Sequence, residues 1–199
     1  MGEPGDFRET IFALRSYTPI PFLVVMVYFA RPTAASLAAG ALLVIAGEAL
    51  RLWGVSIVGS ETRTTGAVGG TYLITTGPFA HVRNPLYVGN VLLYGGVGVM
   101  SWALVPWLII AAVLWFAIQY GLIVSKEEEY LRARFGEDFV RYCAEVPRFL
   151  PRLTPYVSAG PAPKGLSLTE GLASERRTLQ AIGIVVTAIV VLFFLRGGA

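Results

Sequence analysis

The chain of 199 residues is 55% hydrophobic and only 15% charged, whereas soluble domains carry about 25% charged residues; so apolar a chain needs a solvent other than water. One cysteine, Cys143, and one histidine, His81, exclude a disulfide framework, a Cys/His zinc site and a multi-histidine haem or di-iron centre, so no metal is expected. The net charge of +3 and pI near 9.2 carry no weight for nucleic acid, because a membrane protein gathers Lys and Arg on its cytoplasmic side for reasons of insertion.

The opening MGEPGDFRET has Glu3, Asp6 and Glu9 where a secretory signal is basic, and Asp6 where a myristoylation signal wants Ser or Thr, so no cleaved or lipidated leader is expected. Five spans follow. The first lies between Arg15 and Arg31, with Pro19 and Pro21 near its start, and the second covers about Thr33–Ile57. Asn84 to Ser125 is 42 residues without Asp, Glu, Lys or Arg. As one helix it would reach about 63 Å, twice a bilayer core. It must therefore cross and return, giving a third span over about Pro85–Met100 and a fourth over about Leu104–Val124, with a turn near Ser101, Trp102 and Pro106. Thr178–Leu195, between Arg177 and Arg196, is the fifth.

With the N-terminus cytoplasmic, residues 1–17, 59–85 and 125–177 share one side and hold thirteen of the sixteen Lys and Arg. The positive-inside bias therefore places the N-terminus and both polar, motif-rich segments on the cytoplasmic face. The expected organisation is residues 1–62 for the first two spans, 63–153 for a core with spans three and four, 154–177 for a Pro-, Gly- and Ser-rich tether, and 178–199 for the last span.

Within the second span, Glu48 and Arg51 stand one helical turn apart and can neutralise each other. An intramembrane pair is a functional hypothesis, but both residues lie in the second half of the span, which favours an arginine snorkelling to the interface with its glutamate. In TYLITTGPFAHVRNPLYVGN, residues 71–90, Gly77-Pro78 breaks the backbone, and Asn84-Pro85 has the preferences of an N-cap followed by the first helical residue. A helix start offers unpaired N–H groups to a carboxylate or phosphate, and Arg83 beside it offers a bidentate fork. A capped helix with Arg83 on lipid phosphate accounts for the same pattern. His81 reads as an interfacial or space-filling residue rather than a general base, because no Ser or Cys nucleophile lies in an evident partner motif. Gly95, Gly96 and Gly98 read as close helix packing.

The stretch SKEEEYLRARFG predicts a new amphipathic helix, with Ser125 and Glu128 as capping box, Leu131 and Phe135 on one face and Gly136 at its C-cap; a short helix over Asp138–Glu145 then stops before Val146-Pro147. Glu127, Glu128 and Glu129 sit where the fourth span leaves the membrane. Lys126, Arg132 and Arg134 are their local partners and Arg83 a distant one; the plainest pairing is Glu128 with Arg132 at i,i+4.

LITTGPFAHVRNPLYVG, about 37 residues of membrane hairpin, and then EEEYLRARFGEDFVRYCAEVPRFLP together resemble the isoprenylcysteine carboxyl methyltransferase and phospholipid methyltransferase superfamily of integral membrane enzymes. The likeness covers roughly residues 70–151. It implies an all-α polytopic membrane protein of about five spans that binds S-adenosylmethionine in a cytoplasmic segment and methylates a lipophilic acceptor from the bilayer, a prenylcysteine-like carboxylate or a phospholipid amine. Carried onto this chain, it implies cofactor binding by Tyr72, Leu73, Ile74, Phe79, Asn84, Pro85, Tyr87, Glu127 and Glu128. It also implies that Arg83 orients the acceptor's polar head. Two positions depart from the pattern: Asn84 stands where many relatives have His, and Ile123 where the eukaryotic prenylcysteine enzymes have an arginine. The alternatives are an NADPH-dependent membrane reductase of the steroid 5-alpha-reductase type, whose comparable motif differs at Leu86 and Asn90, and a non-catalytic membrane or lipid-binding scaffold.

Overall fold

The computed structural model describes residues 7–58, 73–157 and 166–197. Its regular structure there is helical: α1 (Phe7–Leu14), α2 (Pro19–Tyr28), α3 (Ala34–Val58), a 3-10 turn (Gly77–Ala80), α4 (Pro85–Ser101), α5 (Trp107–Glu145) and α6 (Leu168–Leu195). The chain is an all-helical, polytopic membrane protein. Helices α3, α5 and α6 are each long and apolar enough to cross a bilayer. The remaining two expected spans are shorter. The stretch between Arg15 and Arg31 holds only the 10-residue α2, about 15 Å at the helical rise, because Pro19 and Pro21 set its start and leave no room for a full crossing. The third expected span is the 17-residue α4, about 25 Å long.

Two helix boundaries differ from expectation. No helix starts at Ser125, since α5 runs without a break from the apolar Trp107 side through the glutamates; nothing between Pro106 and Gly136 removes a backbone N–H, so the ladder continues. Gly136 does interrupt it, with φ 53 and ψ −124, a conformation that a side chain disfavours. The second correction is at α6, which starts at Leu168 inside the expected tether. Ser167 supplies the start signal, its Oγ accepting from the Glu170 N–H at 3.4 Å, the N-cap geometry that satisfies an otherwise orphaned donor.

The described helices fall into two compact units. One comprises Met1–Gly47, Val91–Ile123 and Thr178–Ala199. Its core joins Met26, Leu93, Val97, Met100, Ile182 and Ile189. In lipid such packing rests on close contact rather than on water exclusion, and the glycines permit it: a methyl group on Gly96 would meet the Gly40 carbonyl at 2.7 Å. Gly96 and Gly98 thus serve close packing as expected, whereas Gly95 faces open space and lines a small apolar groove with Tyr94, Met26 and Phe116. The buried Gln119 accepts through its Oε1 from the Thr18 hydroxyl at 3.0 Å, while its Nε2 has no hydrogen-bond partner among the described residues.

The other unit comprises Glu48–Asn90 and Val124–Arg177. Its apolar core is Phe139, Tyr142 and Val146, with Leu73, Leu131, Phe135, Cys143 and Tyr156 packed against it. Leu131 and Phe135 do share the buried face that their spacing predicts. Each large side chain fully removed from water there contributes about 1.5–3 kcal/mol.

Candidate functional site

The site is built in the second unit, where the start of α4, the glutamates of α5 and the segment after α5 meet. Gly77 begins the arrangement with φ 60, and a side chain at this position would press on Ile57 and Trp53. The 3-10 turn that follows feeds an irregular stretch whose backbone is tied to the chain beyond Val146. Arg83 N–H donates to the Pro147 carbonyl at 2.9 Å, Arg152 N–H to the His81 carbonyl at 2.9 Å, and Tyr156 N–H to the Ala80 carbonyl at 2.9 Å. Side chains reinforce the seam: the Tyr142 hydroxyl donates to the Phe79 carbonyl at 2.7 Å and the Asn84 amide to the Arg148 carbonyl at 3.0 Å. Helix α4 then begins at Pro85 as its residue preferences predict.

A single turn of α5 carries the acidic residues to this seam. Glu127 accepts from the Tyr87 hydroxyl at 2.9 Å. Glu128 accepts from Arg148, through Nε at 3.1 Å and through Nη2, and lies 3.4 Å from Arg83 Nη2. Its side chain and that of Arg83 are each only 14% exposed, so removal of Glu128 would strand the Arg83 charge away from water, whereas Glu128 without Arg83 keeps Arg148. The hydrogen bond to Glu128 raises the Arg148 pKa above its ordinary value. Burial holds the Tyr142 hydroxyl above the usual phenol range, against the opposing pull of Arg83.

Seven of the nine expected cofactor residues find a definite place. Asn84, Pro85, Tyr87, Glu127 and Glu128 converge with Arg83. Phe79 reaches the seam through its carbonyl, and Leu73 packs into the apolar core. Ile74 is half-buried, and Tyr72 lies outside the described residues. The i,i+4 pairing of Glu128 with Arg132 gives way to Arg83 and Arg148, which reach Glu128 from outside its own helix. Arg148 was overlooked; its signal is its place in Val146-Pro147-Arg148, where a proline ends α5 and turns the chain back. His81 packs beside Trp53 with its ring tilted, ring centroids 6.4 Å apart, and its Nδ1 lies 2.9 Å from the Arg152 carbonyl, the satisfied role expected of it.

Glu48 and Arg51 require a larger correction. Arg51 does not snorkel outward. Its Nη2 donates to both carboxylate oxygens of Glu175 on α6, at 2.8 and 2.6 Å, and its Nη1 to the Asn90 side chain. Glu48 lies 3.9 Å from Arg51 Nε. No sequence spacing links Arg51 to Glu175, so only the fold reveals the pairing.

The profile of the phospholipid methyltransferase family matches residues 35–138, just over half of the chain and the whole of the α4 start and the glutamate run. The chain belongs to the phospholipid methyltransferase family. Relatives of this family member include the cobalt-zinc-cadmium resistance protein CzcN of Cupriavidus metallidurans, 34% identical over 53% of this chain and 44% of the relative. The nickel-cobalt-cadmium resistance protein NccN of Alcaligenes xylosoxydans xylosoxydans is 34% identical over 61% of this chain and 53% of the relative. The protein-S-isoprenylcysteine O-methyltransferase of Schizosaccharomyces pombe is 33% identical over 40% of this chain and 33% of the relative. The matches span about half or less of the length of these relatives. No solved structure matches. Among the described residues no group of three or more His, Cys, Asp or Glu is placed to hold a metal ion.

Proposed function

We propose that this phospholipid methyltransferase family member transfers a methyl group from S-adenosylmethionine to a lipophilic acceptor, at a site on the cytoplasmic side of the membrane. The observation that carries this reading is the convergence of Arg83, Tyr87, Glu127 and Glu128 at the start of α4, inside the family match. That match also favours methyl transfer over the reductase and scaffold readings. The site chemistry fits the cofactor. A helix start suits its carboxylate, and the glutamates suit its amine or ribose hydroxyls. Two buried polar atoms near the seam, Arg83 Nε and Thr76 Oγ1, have no hydrogen-bond partner among the described residues; polar atoms in that state belong with a ligand or water.

When bound, the cofactor supplies an electrophilic methyl group on a sulfonium. The residues of this chain bind, orient and exclude water. Tyr87 and Glu127 fix the α5 side of the site, Glu128 binds a cationic or hydroxyl group, and Arg83 orients an anionic acceptor head, either a carboxylate or a phosphodiester. Holding two reactants in near-attack geometry supplies on the order of 7–11 kcal/mol, so the reaction needs no dedicated catalytic dyad. The cytoplasmic placement is supported by the thirteen of sixteen cations that share the site's face.

Thermal unfolding in detergent tests the proposal. S-adenosylhomocysteine at a hundred times its Kd should add about 2.7 kcal/mol of stability, while NADPH should add nothing. A stabilisation by NADPH alone, or by neither, overturns the reading. Transfer of labelled methyl from S-adenosylmethionine into extracted lipid or a prenylcysteine then identifies the acceptor.

A further inference from the structure

The C-terminal helix α6 lies beyond the residues that the family profile matches. Ser167, Gly171 and Glu175 recur every four residues and so occupy one face at its start. Each meets α3 or its arginine. Ser167 N–H donates to the Ser56 carbonyl at 3.0 Å. A side chain at Gly171 would collide with the Ser56 hydroxyl. Glu175, 3% exposed, takes a two-oxygen grip on Arg51. The other amino group of Arg51 holds Asn90. Asn90 sits on α4 three residues beyond Tyr87, one turn along the same helix as the site.

A buried ion pair contributes little net stability compared with apolar packing, because desolvation offsets most of the attraction; its best-attested use is to fix register. This one joins three helices through a planar guanidinium, whose two ends are both committed. We propose that Glu175 is a positioning residue: through Arg51 and Asn90 it fixes the first turns of α4, so that the C-terminal helix completes the site that presents Tyr87 to Glu127. The contact chain stands on geometry alone, and only its consequence for cofactor binding rests on the methyltransferase reading.

Hydrogen exchange and S-adenosylhomocysteine titration, both in detergent and well below the unfolding temperature, test it on the full chain. Glu175→Gln keeps the shape and loses the charge; Asn90→Ala leaves the Arg51–Glu175 pair intact and cuts only the link to α4, so it stays informative where the first variant fails to fold. The expected result is amide exchange in residues 86–90 roughly tenfold faster in both variants, with the Phe139–Val146 segment unchanged, together with a loss of cofactor-analogue affinity of at least about threefold. A purely structural role gives a uniform rise in exchange over both segments and overturns the proposal. Faster exchange at 86–90 with unchanged affinity overturns it too. Should wild type itself fail to bind the analogue, the methyltransferase reading falls, and exchange at 86–90 alone decides whether the brace exists.

Discussion

The Tyr87 hydroxyl donates to Glu127 Oε1 at 2.9 Å, tying the first turn of α4 to the glutamates of α5. These two stretches are separated in sequence by most of an uncharged run, and the bond brings their polar groups to one place. Tyr87→Phe removes the bond and little else. That bond lies within the protein, so its loss lowers stability; we propose that the same hydroxyl also meets the cofactor, where loss of a hydrogen bond to a charged group, about 1.5–3 kcal/mol, should lower the affinity for S-adenosylhomocysteine roughly ten- to hundred-fold. Glu128→Gln should behave alike. Calorimetric titration giving wild-type affinity for both variants would remove these residues from the site.

The two arginines on Glu128 should respond unequally. Arg148 is 39% exposed, so Arg148→Ala forfeits a pair that water already screens, and its stability cost should stay below about 1 kcal/mol. Glu128→Leu leaves Arg83 charged and largely buried and should cost several-fold more, about 3–5 kcal/mol if no water enters. Chemical unfolding in detergent orders the two variants. Equal losses would mean that Glu128 and Arg83 are not a buried pair in solution.

Tyr142 provides a pH signature. Its hydroxyl is buried, donates to the Phe79 carbonyl and has a pKa raised above the ordinary value. The unfolded chain therefore loses this proton first, near the usual phenol value of about 10. Above that pH the folded state binds more protons than the unfolded state, so stability declines as pH rises. The contribution is fully present below about pH 10. Tyr142→Phe should lose the hydrogen bond, about 0.5–1.5 kcal/mol, yet show a shallower alkaline decline. An identical slope between pH 9.5 and 11 would contradict the assignment.

The start of α4 and the break at Gly136 were legible because proline and glycine act locally, on φ and on the N–H. The membrane character was legible because 42 uncharged residues admit few other solutions. What could not be read were pairings between distant segments. Arg51 carries a near neighbour of opposite charge in Glu48, and the sequence offers that local pairing; the fold keeps it at 3.9 Å and adds the tighter Glu175, 124 residues away. Arg148 on Glu128 was hidden for the same reason, with Arg132 at helical spacing as the obvious partner. The continuity of α5 past Ser125 shows the converse limit: a capping-box pattern stops nothing when the preceding residues are already helical.

The membrane orientation is testable at the α4–α5 turn. Trp102 is 46% exposed there and Ala133 is exposed on α5. In a Cys143→Ser background, Trp102→Cys should react with an impermeant maleimide only from the non-cytoplasmic side, and Ala133→Cys only from the cytoplasmic side, because the cations concentrate on the latter face. Labelling of both positions from one side would refute the topology.

Arg83 has two candidate ligands, the cofactor and the acceptor, and we propose the acceptor. The helix start at Pro85 would offer its N–H groups to the cofactor's anion, while the Arg83 guanidinium lies 3.4 Å from Glu128 and keeps a buried Nε without a partner among the described residues. Arg83→Lys preserves the charge and loses the planar fork. Without any acceptor present, this variant should bind S-adenosylhomocysteine within about threefold of wild type. With acceptor present, it should raise the acceptor KM or lower turnover. An arginine that merely meets lipid phosphate would move neither quantity. A loss of cofactor-analogue affinity of tenfold or more, about 1.4 kcal/mol, would assign Arg83 to the cofactor and leave the acceptor's head to be held by another group.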